Sequence, residues 1–147
     1  MISAAEDIGL ADPMALVLAT SAHAASEFVG WPEARIPLAE ATVYLATAHK
    51  SNSAYVAINS ALEEVKSGCT IPVPKHLRDA HYSGAEQLDN GKGYKYSHDY
   101  EGHYVAQDYL GIDVCFYEPT EQGVEKKIKE RVLYWRSLQQ KGRPDGA

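Results

Sequence analysis

The nineteen residues GYKYSHDYEGHYVAQDYLG, Gly93 to Gly111, hold two histidines, three acids and five tyrosines. Imidazole and carboxylate side chains together suit a divalent metal. Tyrosines beside Lys92 and Lys95 suit the bases of a single strand of nucleic acid. His98 and His103 are five positions apart, which on a helix turns the second ring about 140° from the first, so they do not share a metal as an i, i+4 pair would. A loop could still bring them together, with Asp99 or Glu101 as oxygen ligand. Against nucleic acid, Asp99, Glu101 and Asp108 repel phosphates. The favoured reading is that Tyr94, Tyr96, Tyr100, Tyr104 and Tyr109 bury their rings, keep their hydroxyls wet and so line an irregular segment. No catalytic, cofactor-binding or metal residue is assigned.

The remaining chemistry is sparse. Gly91 and Gly93 lack the G-x-x-x-x-G-K-[ST] pattern that wraps phosphates, and neither a G-x-G-x-x-G after a strand nor a G-x-S-x-G elbow occurs. Cys69 and Cys115 stand 46 positions apart without a partner at metal spacing, and read as two reduced thiols, buried or half-buried. Lys50-Ser51-Asn52-Ser53 places four polar residues between two apolar helices, more than a plain connection needs. Ser51 is explained as a helix N-cap, and Lys50 as a cation at the preceding helix's C-terminal end, favoured by roughly 0.3–1 kcal/mol.

These residues need elements to hold them. The chain has 147 residues, 45% hydrophobic and 23% charged, which suits one globular domain with its own core. Its longest apolar run, Met14 to Ala25, is interrupted by Thr20, Ser21 and His23 and is shorter than the roughly 20 residues of a membrane span. Glu6 and Asp7 stand where a secretory signal would be basic. A cytoplasmic protein is expected.

Asp12-Pro13 reads as N-cap and first residue of a helix whose stripe is Met14, Val17, Leu18, Ala22, Ala25, Phe28 and Val29, ending at Gly30-Trp31-Pro32. Pro37 opens a second helix, running to about Lys50, and Ser51 caps a third that stops at Gly68. Extended chain and short turns follow to Gly93, with a turn of helix at Lys75 to Ala80. Tyr104 to Leu110 reads as a short helix and Val114 to Tyr117 as an extended piece. A final helix, Glu121 to Gln140, is lined by Val124, Ile128, Val132, Trp135 and Leu138, and the tail from Gly142 reads as frayed.

The net charge of -6 comes entirely from residues 1 to 65, where Arg35 and Lys50 face eight acids; the remainder carries twelve charges of each sign. Along the last helix, Lys126, Lys127, Lys129, Arg131, Arg136, Lys141 and Arg143 face only Glu125 and Glu130. Such a stretch is either a solvated helix face or a surface for an anionic partner.

Five stretches together resemble one family: SAAEDIGLADPMAL (Ser3 to Leu16), VGWPEARIPLAEATVYLATAHKSNSAYVAI (Val29 to Ile58), VPKHLRDA (Val73 to Ala80), GYKYSHDYEGHYVAQDYL (Gly93 to Leu110) and YEPTEQGVEKKIKERV (Tyr117 to Val132). In this order they are similar to the C-terminal domain of the RarA (MgsA) AAA+ ATPases, bacterial relatives of the eukaryotic Werner-helicase-interacting protein. Two departures stand out: Ser97 where relatives carry proline, and a shorter segment between Leu110 and Tyr117.

The resemblance implies an all-α helical bundle related to the clamp-loader collar, with a long irregular segment around residues 69–100, forming one domain over residues 1–147. It implies self-association as a homotetramer. ATP and magnesium belong to an ATPase core N-terminal to this region and absent from it, so this chain reads as a fragment without an ATP site or cofactor of its own. DNA is reached through the parent, with single-stranded DNA-binding protein as a possible partner and the bacterial nucleoid as the place of work. The expected function is therefore oligomerisation and interaction within a DNA-dependent ATPase of replication-fork maintenance and recombination. Candidate interface residues are Trp31, Met14, Leu18, Phe28 and Tyr55. The alternative is direct DNA contact through Lys126, Lys127, Lys129, Arg131 and Arg136.

Overall fold

A computed structural model describes residues 1–68, 71–83 and 85–141. Cys69, Gly142 and Arg143, on which three of the expectations above fall, lie outside the described residues, as does the side chain of Lys141. Every regular element among the described residues is helical, and no strand occurs. The long helices are α1 (Met14–Val29), α2 (Arg35–Thr47), α3 (Ser53–Lys66) and α4 (Glu125–Lys141), preceded by a wide turn at Ala4–Ile8 and a tight one at Gly9–Ala11. By its internal packing the chain forms two units. The first takes in Met1–Ser67 and Cys115–Val132, the second Gly68–Val114 and the residues from Leu133 onward.

Helix boundaries follow local hydrogen bonding. Asp12 Oδ1 accepts the Met14 N–H at 3.1 Å, satisfying one of the donors that a helix start leaves unpaired, so α1 begins one residue after the expected Pro13. Pro37 sits in the first turn of α2, where its missing N–H costs nothing, but the helix already begins at Arg35. Ala48 then turns to extended backbone and ends α2 short of Lys50, whose ammonium donates back to the Leu45 carbonyl at 3.2 Å. Ser51 caps the start of α3 from one residue beyond its flanking Asn52, its Oγ accepting the Ser53 N–H at 3.4 Å. It lies buried two residues before that helix begins.

The face that α1 buries matches the expected stripe only in part, at Ala22 and at half-buried Leu18 and Ala25, and not at Met14, Val17, Phe28 and Val29. Ala15, Ala19 and Ala22 are buried, Ala34 and Ala41 are buried at the start and in the middle of α2, and the cluster of Ala4, Ile8, Ala15 and Ala19 is completed by half-buried Leu45 and Ala48. Methyl-sized residues let the axes of α1 and α2 approach closely, which turns the larger side chains outward. Met14, Val17 and Phe28 accordingly stand exposed.

Two glycines close this unit. Gly9 has φ +52°, and a Cβ there would lie 2.6 Å from the Ser51 carbonyl oxygen; Ser51 N–H donates to the Ile8 carbonyl beside it. Gly123, at φ +50°, is pressed so closely on the Ala11 carbonyl that a Cβ would overlap it, and the next residue's N–H donates to that carbonyl at 2.8 Å. Only glycine accepts both the left-handed conformation and the contact.

The second unit is built from short turns, Lys75–Leu77, Glu86–Leu88, Ser97–Asp99 and Glu101–His103, with the last part of α4. The helix expected at Tyr104 to Leu110 is absent. Tyr104 is extended, its ring stacks on Trp135 with centroids 5.9 Å apart and planes 5° from parallel, and its hydroxyl donates to the Trp135 carbonyl. Farther on, Asp108 Oδ1 takes the N–H groups of Leu110 and Gly111, a local side-chain turn that competes with helix formation.

Candidate functional site

The most tightly built polar group in the first unit surrounds Glu125, the first residue of α4. It is fully buried, and with Ile8 it is the largest side chain so enclosed. Its Oε1 accepts hydrogen bonds from Ser53 Oγ and, at 2.8 Å, from the Tyr117 hydroxyl, while Thr120 Oγ1 donates to Oε2. Ser51 Oγ stands behind, donating to Ser53 Oγ at 3.2 Å. Burial alone pushes the Glu125 carboxyl up, but the hydroxyls of Ser51, Ser53, Thr120 and Tyr117 more than reverse this and hold it at about 2. A carboxylate so low and so enclosed is a fixed charge that pins the start of α4 to the Ser51–Ser53 turn. It has neither the exposure nor the basicity of a general base. Two of the four polar residues in Lys50-Ser51-Asn52-Ser53, Ser51 and Ser53, are explained by this carboxylate, 72 residues from Ser53.

Past that anchor the basic residues of α4 do not share one face. A turn of 100° per residue directs Lys126, Lys127 and Arg131 outward, with Glu130 among them, and Lys129 toward the side that carries Glu125. The burial agrees: Lys126, Lys127 and Arg131 are exposed, whereas Lys129 is half-buried and its ammonium binds Glu121 Oε1 at 2.9 Å, holding that carboxyl below its ordinary value. Arg131 has further interactions of its own, and Arg136 belongs to the second unit.

Four of the five candidate interface residues are open on the first unit. Phe28 is 92% exposed and Trp31 76%, with Met14 and Tyr55 about half exposed; Leu18 is half-buried. Phe28, Val29 and Trp31 are neighbours at the end of α1 and the turn beyond it, and no regular element of the unit covers them.

In the second unit the structure brings His98 and His103 together, with ring centroids 5.1 Å apart, and Tyr96 lies 5.0 Å from His98. Two short turns, rather than one helix, allow this. No group of three His, Cys, Asp or Glu side chains converges at metal-binding distance among the described residues. The tyrosines are more open than expected. Tyr94, Tyr96, Tyr100 and Tyr109 are 42–56% exposed, and only Tyr104 is packed, where burial raises its phenol. Cys115 is likewise exposed, its thiol donating to Glu118 Oε1 at 3.0 Å.

Gly91 packs against Ala80 rather than opening a loop, a Cβ on it meeting the Ala80 methyl at 2.6 Å. No helix among the described residues is long and apolar enough to cross a membrane.

The described residues form an all-helical chain in which the first residue of α4 is pinned by buried hydrogen bonds and large apolar side chains stand open on the first unit. The family model described as MgsA AAA+ ATPase C terminal matches residues 1–136, and the chain belongs to that family. It is 47% identical over 146 residues to an uncharacterised AAA domain-containing protein of Mycobacterium tuberculosis, covering 97% of this chain and 32% of that protein. It is 46% identical over 134 residues to replication-associated recombination protein A of Bacillus subtilis (88% and 32%), and 37% identical over 145 residues to that of Escherichia coli (96% and 32%). The chain thus spans about a third of the length of the curated relatives it matches.

Proposed function

We propose that this chain is the oligomerisation and interaction domain of a DNA-dependent AAA+ ATPase that acts in replication-fork maintenance and recombination, and that it assembles its parent as a homotetramer. The relatives' names supply the setting, replication and recombination. The observation that carries the assembly is the exposure of Phe28, Val29 and Trp31 on a unit whose own core is filled by alanines. Contiguous large apolar side chains left open in this way mark association surfaces. In this reading the domain belongs with the collar domains of clamp loaders, works in the bacterial nucleoid, and leaves ATP and magnesium to the rest of the parent.

Solution mass by light scattering after size exclusion, across a tenfold range of concentration, tests the proposal. The expected result is a tetramer, near four times 16.1 kDa, that falls to smaller species in a Phe28→Ser, Trp31→Ser double variant. A monomer at every concentration would sink the claim that this domain carries the assembly.

The alternative, direct DNA contact, is favoured by the outward Lys126, Lys127 and Arg131. Affinity would then fall steeply with salt, by a slope of about 0.9 per phosphate contacted. Binding unchanged by charge reversal at Lys126 and Lys127 rejects it.

A further inference from the structure

The self-association reading leaves the Gly93–Gly111 stretch unused, although it displays more aromatic surface than any other segment of comparable length in the second unit. Tyr96, His98 and His103 form a row of neighbouring rings, each about 5 Å from the next, tilted at 51° and 55°. All three residues are exposed, as is Tyr100 beside them. The backbone beneath is tied down turn by turn: Asp99 N–H to the Tyr96 carbonyl, Tyr100 N–H to Ser97, His103 N–H to Tyr100, and Lys95 N–H to the Gln107 side chain at 2.8 Å. A display fixed in this way has little ordering entropy left to lose on binding.

The charge around the row selects the partner. Residues 93–114 contain Lys95 against Asp99, Glu101, Asp108 and Asp113, +1 against -4, a net of -3 with histidines neutral. Asp108 is occupied by the Leu110 and Gly111 N–H groups, and Asp113 has interactions of its own. Asp99 and Glu101 sit inside the row's own turns and form no ion pair among the described residues. The neighbouring Lys92 is held by Asp89 at 3.0 Å. Phosphates would meet repulsion here. A guanidinium would meet tyrosine ring faces, planar imidazoles and carboxylates together, a setting that attracts a planar cation.

We infer that the Tyr96–His98–His103 row, with Tyr100, Asp99 and Glu101, is a docking surface for an arginine-bearing peptide segment of a protein partner. Guanidinium groups stack on the rings, and the two carboxylates fix their register. The row belongs to the second unit and the Phe28–Trp31 patch to the first, and the inference does not rest on self-association.

The test uses fluorescence anisotropy with a labelled arginine-rich decapeptide, an acidic decapeptide and oligo(dT) as probes. Expected is saturable binding of the arginine peptide alone. Tyr96→Ala should weaken it roughly two- to fivefold, as loss of one exposed cation–π contact does. Glu101→Gln, an exposed change that leaves the fold intact, should weaken it and flatten its salt dependence. Glu63→Gln/Glu64→Gln, which removes as much or more charge from α3, should leave it unaltered. The inference is overturned if the α3 double variant weakens binding as much as Glu101→Gln does, which would mean general attraction to an acidic chain. Preference for oligo(dT), no binding of the arginine peptide, or affinity indifferent to Tyr96→Ala in a variant of unchanged circular dichroism overturns it equally.

Discussion

Glu125 is the residue on which most of the first unit's polar order depends. Replacing it with alanine leaves the buried Ser53 hydroxyl and the half-buried Thr120 and Tyr117 hydroxyls without their acceptor, at a cost of about 1–3 kcal/mol for each buried group that finds no new partner. A total loss of about 3 kcal/mol is expected in urea unfolding at pH 7. Acid should have a related effect. The Glu125 carboxyl is lowered from 4.5 to about 2 on folding, so its contribution is fully present above about pH 4.5 and is lost as pH falls toward 2. Between those limits the Glu125→Gln variant should show a flatter loss of stability than the parent chain. An equally steep loss would mean that other carboxylates drive the acid transition.

Among the elements, the turn that leads into α4 depends on one missing side chain. Gly123→Ala forces a β-carbon onto the Ala11 carbonyl while φ is positive, and should break the Val124 to Ala11 hydrogen bond. A fall in stability of more than about 2 kcal/mol is expected in thermal or urea unfolding, larger than the roughly 1 kcal/mol of left-handed strain alone. The four long helices were legible from period, proline and glycine. Their exact ends were not, because they are set by single bonds such as Asp12 to Met14 and Lys50 to Leu45. The α1 stripe is legible only in part for a physical reason: periodicity weights large apolar residues and finds Ala22, whereas close helix contact also selects Ala15 and Ala19 and leaves Met14, Val17 and Phe28 exposed. The Glu125 site left one trace in the sequence, the surplus of polar residues at Lys50 to Ser53. Its acceptor, 72 positions away, gave no local signal. Tyr104 reads as helical because its partner, Trp135, lies 31 positions away and gives no local signal either.

At the scale of the whole molecule, the exposed apolar side chains support the self-association proposed above. The first unit presents Phe28, Trp31 and Ile36 to solvent while its buried core is mostly alanine, so it exposes larger apolar side chains than it encloses. Self-association should therefore be visible optically. Trp31 is 76% exposed in the single chain, and its emission should shift to shorter wavelength as concentration rises, in step with the light-scattering mass. A Trp31→Phe variant, which leaves Trp135 as the remaining tryptophan, should lose that shift, because Trp135 is already stacked on Tyr104. A blue shift that persists in Trp31→Phe would place the contact elsewhere.

The Glu125 anchor also bears on the order of folding. The helical pair α1 and α2 closes through residues near in sequence, whereas Ser53 and Glu125 meet only after 72 residues of intervening chain have been gathered in. Loop-closure entropy makes that encounter late. A contact formed after the rate-limiting barrier influences how fast the native state comes apart far more than how fast it is reached. In a denaturant chevron, Glu125→Gln should thus leave the refolding rate nearly unchanged and raise the unfolding rate, which makes this buried carboxylate a determinant of the domain's lifetime once folded.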